Sequence, residues 1–518
     1  MKILLVIMLI CFLSLFFSAL SAPSADHNWW CNQTSYPETC RYYMSQGSPN
    51  FSSTQRTEFL NMAVHVTMDQ ALVALNHTKS LGSKCLNARE EAAWSDCIKF
   101  YESTILQLNQ TLNLNTKSTA FDIQTWLSAA LTNLHTCRTG FIELNVTNNI
   151  LPVLMSNNVS KLISNTLDIN NPSTMEETHL GGLPSWLSTP DQRLLQSSLQ
   201  HSDLVVAQDG SGNFRTIKEA LSASLRRKDS RRFVIHIKSG VYHEYIEVTI
   251  QMKNIMLVGD GLSNTIISGS RSHGGGYSTF NSATAKVIGN GFIARGITFR
   301  NSAGPQNSQA VALISTSDCS VFYNCGFQGY QDTLFVHSQR QFYQKCHIYG
   351  TVDVIFGNAA VVLQNCIIHA RRPVAGGGIV ITAQGRTDPN QNTGISIHNC
   401  RVVADEDLVP VLSHQKAYLG RPWEQYSRTV YLQTFLDSLV HPEGWMEWKN
   451  DHYKSRTLYY GEYKNYGPGS STQARVKWPG YQVITDLKEA EKFSVANFIG
   501  GQSWLPNTGV PFTAGLLP

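Results

Sequence analysis

Charge is scarce in this chain. Only 15% of its 518 residues are charged, and 41 basic against 37 acidic side chains leave a formal net charge of +4. The rest is ordinary soluble composition, 42% apolar, and nothing in the balance implies a nucleic-acid partner. Other absences narrow the chemistry. There is no Gly-x-Ser-x-Gly turn, no His-Glu-x-x-His pair and no clustered Cys and His, so a serine hydrolase and a zinc enzyme both lack their usual signals. After the first 20 residues no apolar run is long enough to span a bilayer, so no membrane span is expected in the mature protein.

What is present divides unevenly. Met1 to Ala22 combines one basic residue, an apolar run from Ile3 to Phe17 and the small residues Ser-Ala-Leu-Ser-Ala, the layout of a secretory signal over 1–22. Six Asn-x-Ser/Thr sequons agree with export and give N-glycosylation candidates at Asn32, Asn50, Asn76, Asn109, Asn145 and Asn158; none follows residue 160. Residues 1–200 carry 11 basic and 14 acidic groups, and residues 201–518 carry 30 and 23.

Residues 29–170 read as all-α. Leu60, Val64, Met68, Ala71, Leu72 and Leu75 recur at helical spacing, as do Cys97, Tyr101, Ile105 and Leu108, then Ile123, Leu127, Ala130, Leu131 and Leu134. A further segment over about 150–167 completes an expected four-helix bundle. In an oxidising compartment, Cys31 with Cys40 and Cys97 with Cys137 are disulfide candidates, with Cys85 left over. Residues 171–200, with Asn-Asn-Pro-Ser-Thr, Gly181-Gly182, Pro184 and Pro190, read as a linker.

From residue 201 to 518 the helical period gives way to short β-rich runs broken by Gly, Asn and Ser. Within them lies an internal repeat. Tyr-Asn-Cys-Gly-Phe at 323–327 returns as Gln-Lys-Cys-His-Ile at 344–348 and Gln-Asn-Cys-Ile-Ile at 364–368, spacings of 21 and then 20. That predicts an all-β solenoid, with Cys325, Cys346, Cys366 and Cys400 in a ladder along it. A bridge between Cys346 and Cys366 and a row of free buried thiols are both open at this point. Asp332 and Asp353 each lie seven residues after a repeat cysteine, so they hold matched places in successive coils, where strands stack about 4.8 Å apart. Two carboxyls that close cannot both ionise freely, which suits acid/base or nucleophilic work. Gln309 and Gln331 are amide donors suited to an oxyanion, and Arg421 is available to hold one aspartate ionised.

Five blocks then resemble the plant pectin methylesterases. They are Gly-Val-Tyr-His-Glu at 240–244, Gln-Ala-Val-Ala-Leu at 309–313, Tyr-Gln-Asp-Thr-Leu at 330–334, Gly-Thr-Val-Asp-Val-Ile-Phe-Gly-Asn-Ala at 350–359 and Leu-Gly-Arg-Pro-Trp at 419–423. The helical part, with Asp-Cys at 96–97 and Thr-Cys-Arg-Thr-Gly-Phe at 136–141, is similar to the inhibitor domain that precedes many of these enzymes. The resemblance implies a right-handed parallel β-helix that hydrolyses methyl esters of cell-wall homogalacturonan to pectate and methanol, without a cofactor or metal, in a secreted protein. It implies Asp353 as nucleophile, Asp332 as proton donor and then base, Gln331 as transition-state stabiliser and Gln309 as its helper at the oxyanion. Arg421 would orient Asp353, Trp423 would line the sugar groove and Thr279 would touch substrate. Expected partners are esterified pectin and the chain's own helical domain or separate inhibitor proteins. Val354 stands where that family usually has an aromatic residue. Two alternatives stay open: a lyase or glycosidase acting on pectin with the same solenoid, and a non-catalytic wall-binding protein.

Overall fold

A computed structural model describes residues 27–47, 55–112, 118–171, 202–449 and 451–518. The expected signal segment, the linker beyond residue 171 and the Asn50 sequon lie outside these residues. No helix among the described residues is long and apolar enough to cross a membrane.

The first part is helical: α1 (Pro37–Gly47), α2 (Arg56–Ser80), α3 (Ala88–Thr111), α4 (Ala120–Glu143) and α5 (Val159–Asn170). Helix α4 begins at a reciprocal cap, in which the Thr119 hydroxyl takes the Asp122 N–H and the Asp122 carboxylate takes the Thr119 N–H. A disulfide joins Cys97 on α3 to Cys137 on α4, and another joins Cys31 to Cys40. The segment read as one helix from about 150 to 167 is in fact two, Ile150–Leu154 and α5. Between them the Asn157 side chain accepts the Val159 N–H and donates to the Tyr101 hydroxyl at 2.8 Å, a local alternative that competes with the helix. Of the sequons described, Asn32, Asn76, Asn109 and Asn145 are exposed, and Asn158 is half-buried.

From Leu204 onward the chain winds into a parallel β-helix of three sheets with eleven, seven and eight strands, every pairing parallel. The seven-stranded sheet carries the site. Its strands are β1 (Ile246–Val248), β2 (Ala285–Val287), β3 (Leu313–Ser315), β4 (Leu334–Val336), β5 (Ile355–Gly357), β6 (Ile379–Gln384) and β7 (Ala417–Gly420). In-register stacking puts like side chains in rows: Phe322 stacks on Tyr343 inside, and Phe335 stacks on Phe356 outside, their centroids 4.2 Å apart.

The repeat seen in the sequence has a backbone cause. The residue before each ladder cysteine, Asn324, Lys345, Asn365 and Asn399, is at positive φ, a corner where Asn is tolerated better than most residues. The four cysteines after these corners are buried and free, so no bridge links Cys346 to Cys366. Stacked at matching places in successive coils, the thiols lie beside one another without forming a disulfide. Each instead serves as a backbone hydrogen-bond partner: the Cys346 N–H donates to Cys366 Sγ, and the Cys346 thiol donates to the Phe322 carbonyl at 3.3 Å.

Candidate active site

Asp332 and Asp353 sit at the coil corners leading into β4 and β5. The Asp332 N–H donates to the Val352 carbonyl at 2.9 Å, and Leu334 pairs with Ile355, so the two aspartates occupy equivalent points one rung apart. Both have left-handed backbone, φ 62° and 49°. For a residue other than glycine that conformation costs on the order of 1 kcal/mol, held here by the ladders on either side. Both residues are buried, with 7% and 5% of their surface exposed.

Their surroundings differ. Arg421, just past β7, grips Asp353 with a two-pronged contact: Nε donates to Oδ1 at 2.9 Å and Nη2 to Oδ2 at 2.6 Å. The guanidinium lies over the Trp448 ring, 4.4 Å from its centroid. Burial raises the Asp353 carboxyl above its ordinary range, and Arg421 limits that rise. At Asp332 burial also pushes upward, but there the charges of Asp353 and Glu143 add to it and hold the carboxyl well above its ordinary range. Asp332 is therefore the member of the pair that keeps a proton.

One cavity of about 820 Å³ collects Thr279, Gln309, Gln331, Asp332, Asp353, Arg421 and Trp423. Its floor includes Phe335 and Phe356, with Trp423 leaning on both at 6.4 and 6.0 Å. Its other wall is α4, which contributes His135, Thr136 and Glu143. The Thr279 N–H donates to the Glu143 carboxylate at 2.8 Å, and burial pushes that carboxyl up as well. The Thr136 hydroxyl meets His337 Nε2 at 2.8 Å, and burial lowers that imidazole to about 3, leaving it neutral.

Helix α4 is attached to the solenoid along its length. Arg340 donates to Asp122 at 2.6 Å while also holding Asp318, the Gln391 amide donates to the Ser128 carbonyl at 3.0 Å, and the Asn358 amide donates to the Thr132 hydroxyl at 2.9 Å. Sequence reasoning had not singled out Glu143, His337, Phe335, Phe356 or Trp448. The two phenylalanines were findable, since each lies three residues after its aspartate in the repeat. Nothing in the repeat points to Glu143, which arrives from another part of the chain.

A family profile described as Pectinesterase matches residues 203–502, and one described as Plant invertase/pectin methylesterase inhibitor matches residues 25–169. The chain is 57% identical over 487 residues to "Pectinesterase 2" of Citrus sinensis, covering 94% of each. It is 56% identical over 492 residues to "Probable pectinesterase/pectinesterase inhibitor 17" of Arabidopsis thaliana, covering 95% of this chain and 94% of that one. Among solved structures, a pectin methylesterase from carrot aligns with a TM-score of 0.60 at 52% identity, covering 62% of this chain and 100% of its own. One from Aspergillus niger aligns at 0.50 and 30% identity, covering 60% of this chain and 96% of its own.

Proposed function

The chain belongs to the pectinesterase family, and from that membership and the site geometry we propose that it removes methyl groups from esterified pectin through an aspartyl nucleophile. The observation that carries this reading is the unequal treatment of two matched carboxyls, one gripped by Arg421 and one left to hold a proton. An Asp353 carboxylate oxygen attacks the ester carbonyl carbon, and the carbonyl electrons move onto oxygen, where the Gln331 and Gln309 amides stabilise the charge. The intermediate collapses, the bond to methoxyl oxygen breaks, and Asp332 delivers its proton to give methanol. The substrate acyl group is left as an anhydride on Asp353. Asp332, now a carboxylate, takes a proton from water as the water oxygen adds to the substrate acyl carbon. Asp353 departs as carboxylate, leaving a free uronic acid, and Asp332 is protonated again.

Trp423 and the Phe335–Phe356 pair form the apolar face against which a sugar ring lies, and Thr279 contacts substrate at the groove edge. The signal over 1–22 is removed on export to the cell wall, and the helical bundle over 29–170, joined through 171–200, masks the groove of the catalytic part, 201–518. The sequons carry glycans on the bundle side.

The test is methanol release from esterified pectin by the full chain and by the same chain cut at an introduced protease site between residues 172 and 201 and freed of its bundle by size-exclusion chromatography. The cut chain is expected to release methanol faster, with no unsaturated product and no fall in viscosity. Unsaturated ends or depolymerisation would replace this reading with a lyase or a glycosidase. Equal rates before and after cutting would remove the masking role.

A further inference from the structure

The turn that carries Gln331 and Asp332 leaves the eight-stranded sheet at the strand Gly326–Gln328 and reaches β4 through Gly329 and Tyr330. The next three coils lay His347–Gly350, Ile367–Ala370 and Arg401–Ala404 alongside that strand, each paired in parallel with the one before. Both active groups depend on the backbone of this turn. Among the described residues no hydrogen bond holds the Gln331 side-chain amide, so its place is set by its carbonyl, which takes the Ala310 N–H at 3.1 Å, and by its chain neighbours. Asp332 sits at φ 62°, a conformation that persists only where the surroundings over-determine it.

One side chain reaches that turn from two coils away. Arg371 follows Ile367–Ala370, and its own N–H donates to the Gly350 carbonyl at 2.8 Å in the coil between. Its Nη1 donates to the Gly329 carbonyl at 3.1 Å and its Nη2 to the Tyr330 hydroxyl at 2.7 Å, while the guanidinium lies over the Tyr330 ring, 3.9 Å from the centroid. From the following coil, Asp407 and Asp405 approach Nε at 3.5 and 3.7 Å. Asp407 also takes the Arg372 N–H at 2.9 Å, which fixes that carboxylate beside the arginine. Arg371 thus reaches over two rungs, about 10 Å of the solenoid axis, and clamps the residue immediately before Gln331. Its charge plays no part at Asp332, where the charges that act are those of Asp353, Glu143 and Arg421.

We propose that Arg371 is a positioning residue for the reaction: it holds Tyr330 so that the neighbouring Gln331 amide is aimed at the oxyanion, and Asp405 and Asp407 hold Arg371. This inference rests on the esterase reading and adds the device that aims one of its donors. An oxyanion donor works by being in place before the charge develops, so a turn free to shift by about an ångström loses rate without losing substrate affinity. The two arginines at this corner then divide the work. Arg421 acts on Asp353 by charge, and Arg371 acts on Gln331 by geometry.

The whole chain, carrying a protease site between residues 172 and 201, is folded, cut, freed of its bundle and assayed for methanol from esterified pectin over a range of pH. R371Q should lower kcat about tenfold or more, with KM little changed and the limbs of the pH profile where they were. R371K keeps the charge but not the planar fork, and should recover little of the loss. The decisive comparison is made in Q331A. There R371Q should cost about threefold or less, because the group it aims is gone, whereas a residue that only stabilises the fold costs the same factor in both backgrounds. Y330F keeps the ring and removes the acceptor of one prong; it should repeat the pattern at smaller size, and it carries the test if thermal melting shows R371Q unfolded. An unchanged kcat in folded R371Q, full recovery in R371K, or equal losses with and without Gln331 overturns the positioning role while leaving the esterase standing. No methanol from the unaltered protein overturns the esterase reading itself.

Discussion

The coil ending at Asp332 and the coil ending at Asp353 are close copies: same corner, same left-handed backbone, same stacked phenylalanine three residues on. Their chemistry differs because of what reaches over each one. Arg421 closes on Asp353 from beyond β7, while Glu143 of α4 comes near enough to Asp332 for its charge to raise that carboxyl. A solenoid thus sets position by repetition and assigns roles through side chains that do not repeat. It follows that the two aspartates should respond differently to the same perturbation.

The largest separation is expected from D353N, assayed as methanol release by the cut chain. Removing the nucleophile should lower kcat on the order of 10⁴-fold or more, as loss of a catalytic nucleophile does elsewhere. Normal release by the variant would make the two coils interchangeable. Q331A should cost about a hundredfold in kcat with KM little changed, because an oxyanion donor acts at the transition state. A change confined to KM would reassign Gln331 to substrate binding.

R421Q should erase much of the asymmetry between the coils. Without the guanidinium, burial alone acts on Asp353, so the rising limb of the pH–kcat/KM profile should move to higher pH and the rate below that limb should fall. R421K keeps the charge but loses the fork, and should lie between the two. An unmoved limb in R421Q would show that Arg421 does not keep Asp353 ionised.

The smallest effect concerns docking. Asp96, Glu143 and Asp332 are all held above their ordinary values with the bundle in place. The docked state therefore binds more protons at these sites than the separated state does. Docking is fully favoured by them below the ordinary carboxylate range and weakens as pH rises through the raised values. His337, lowered to about 3 from an ordinary 6.5, acts in the opposite sense between those two values, favouring docking as pH rises. Once pH passes 6.5 its contribution is constant, and up to about 8, where the docked Lys286 begins to lose its proton, the carboxyls set the slope. Retention of the bundle by the cut chain, followed by size-exclusion chromatography, should fall severalfold as pH rises from 6.5 to about 8, and less steeply in E143Q. Retention that grows with pH over that range would contradict this assignment.

Much of this was legible in the sequence for a physical reason. A parallel β-helix writes its three-dimensional neighbours at a nearly constant spacing, so Asp332 and Asp353 could be paired by counting from Cys325 and Cys346. Gln331, Gln309 and Arg421 came from blocks of sequence rather than from spacing. The bundle was half legible. The apolar face of α4, through Leu127, Ala130, Leu131 and Leu134, gave its period, but α4 is buried on a second, polar face as well, where Ser128, Thr132 and Thr136 meet the solenoid. Hydroxyl residues at helical spacing read as a solvated surface until their partners are known. Glu143 and Asp96 were hidden in the same way, since their positions in the groove depend on how two separately coded folds dock. The Cys346–Cys366 alternative could not be decided by spacing, because register places the two residues side by side whether they are bridged or, as found, free.

Burial raises both matched carboxyls, but Arg421 restrains Asp353 while the charges of Asp353 and Glu143 raise Asp332 further. The central claim is that the two therefore ionise in order, Asp353 first. Its most direct test is a carbon NMR titration of the protein labelled at the aspartate carboxyl carbons, with D332N and D353N assigning the two signals. The account predicts that the Asp353 carboxyl ionises at lower pH than that of Asp332, and that R421Q narrows the gap. Ionisation of Asp332 first, or a gap that R421Q leaves untouched, would contradict it.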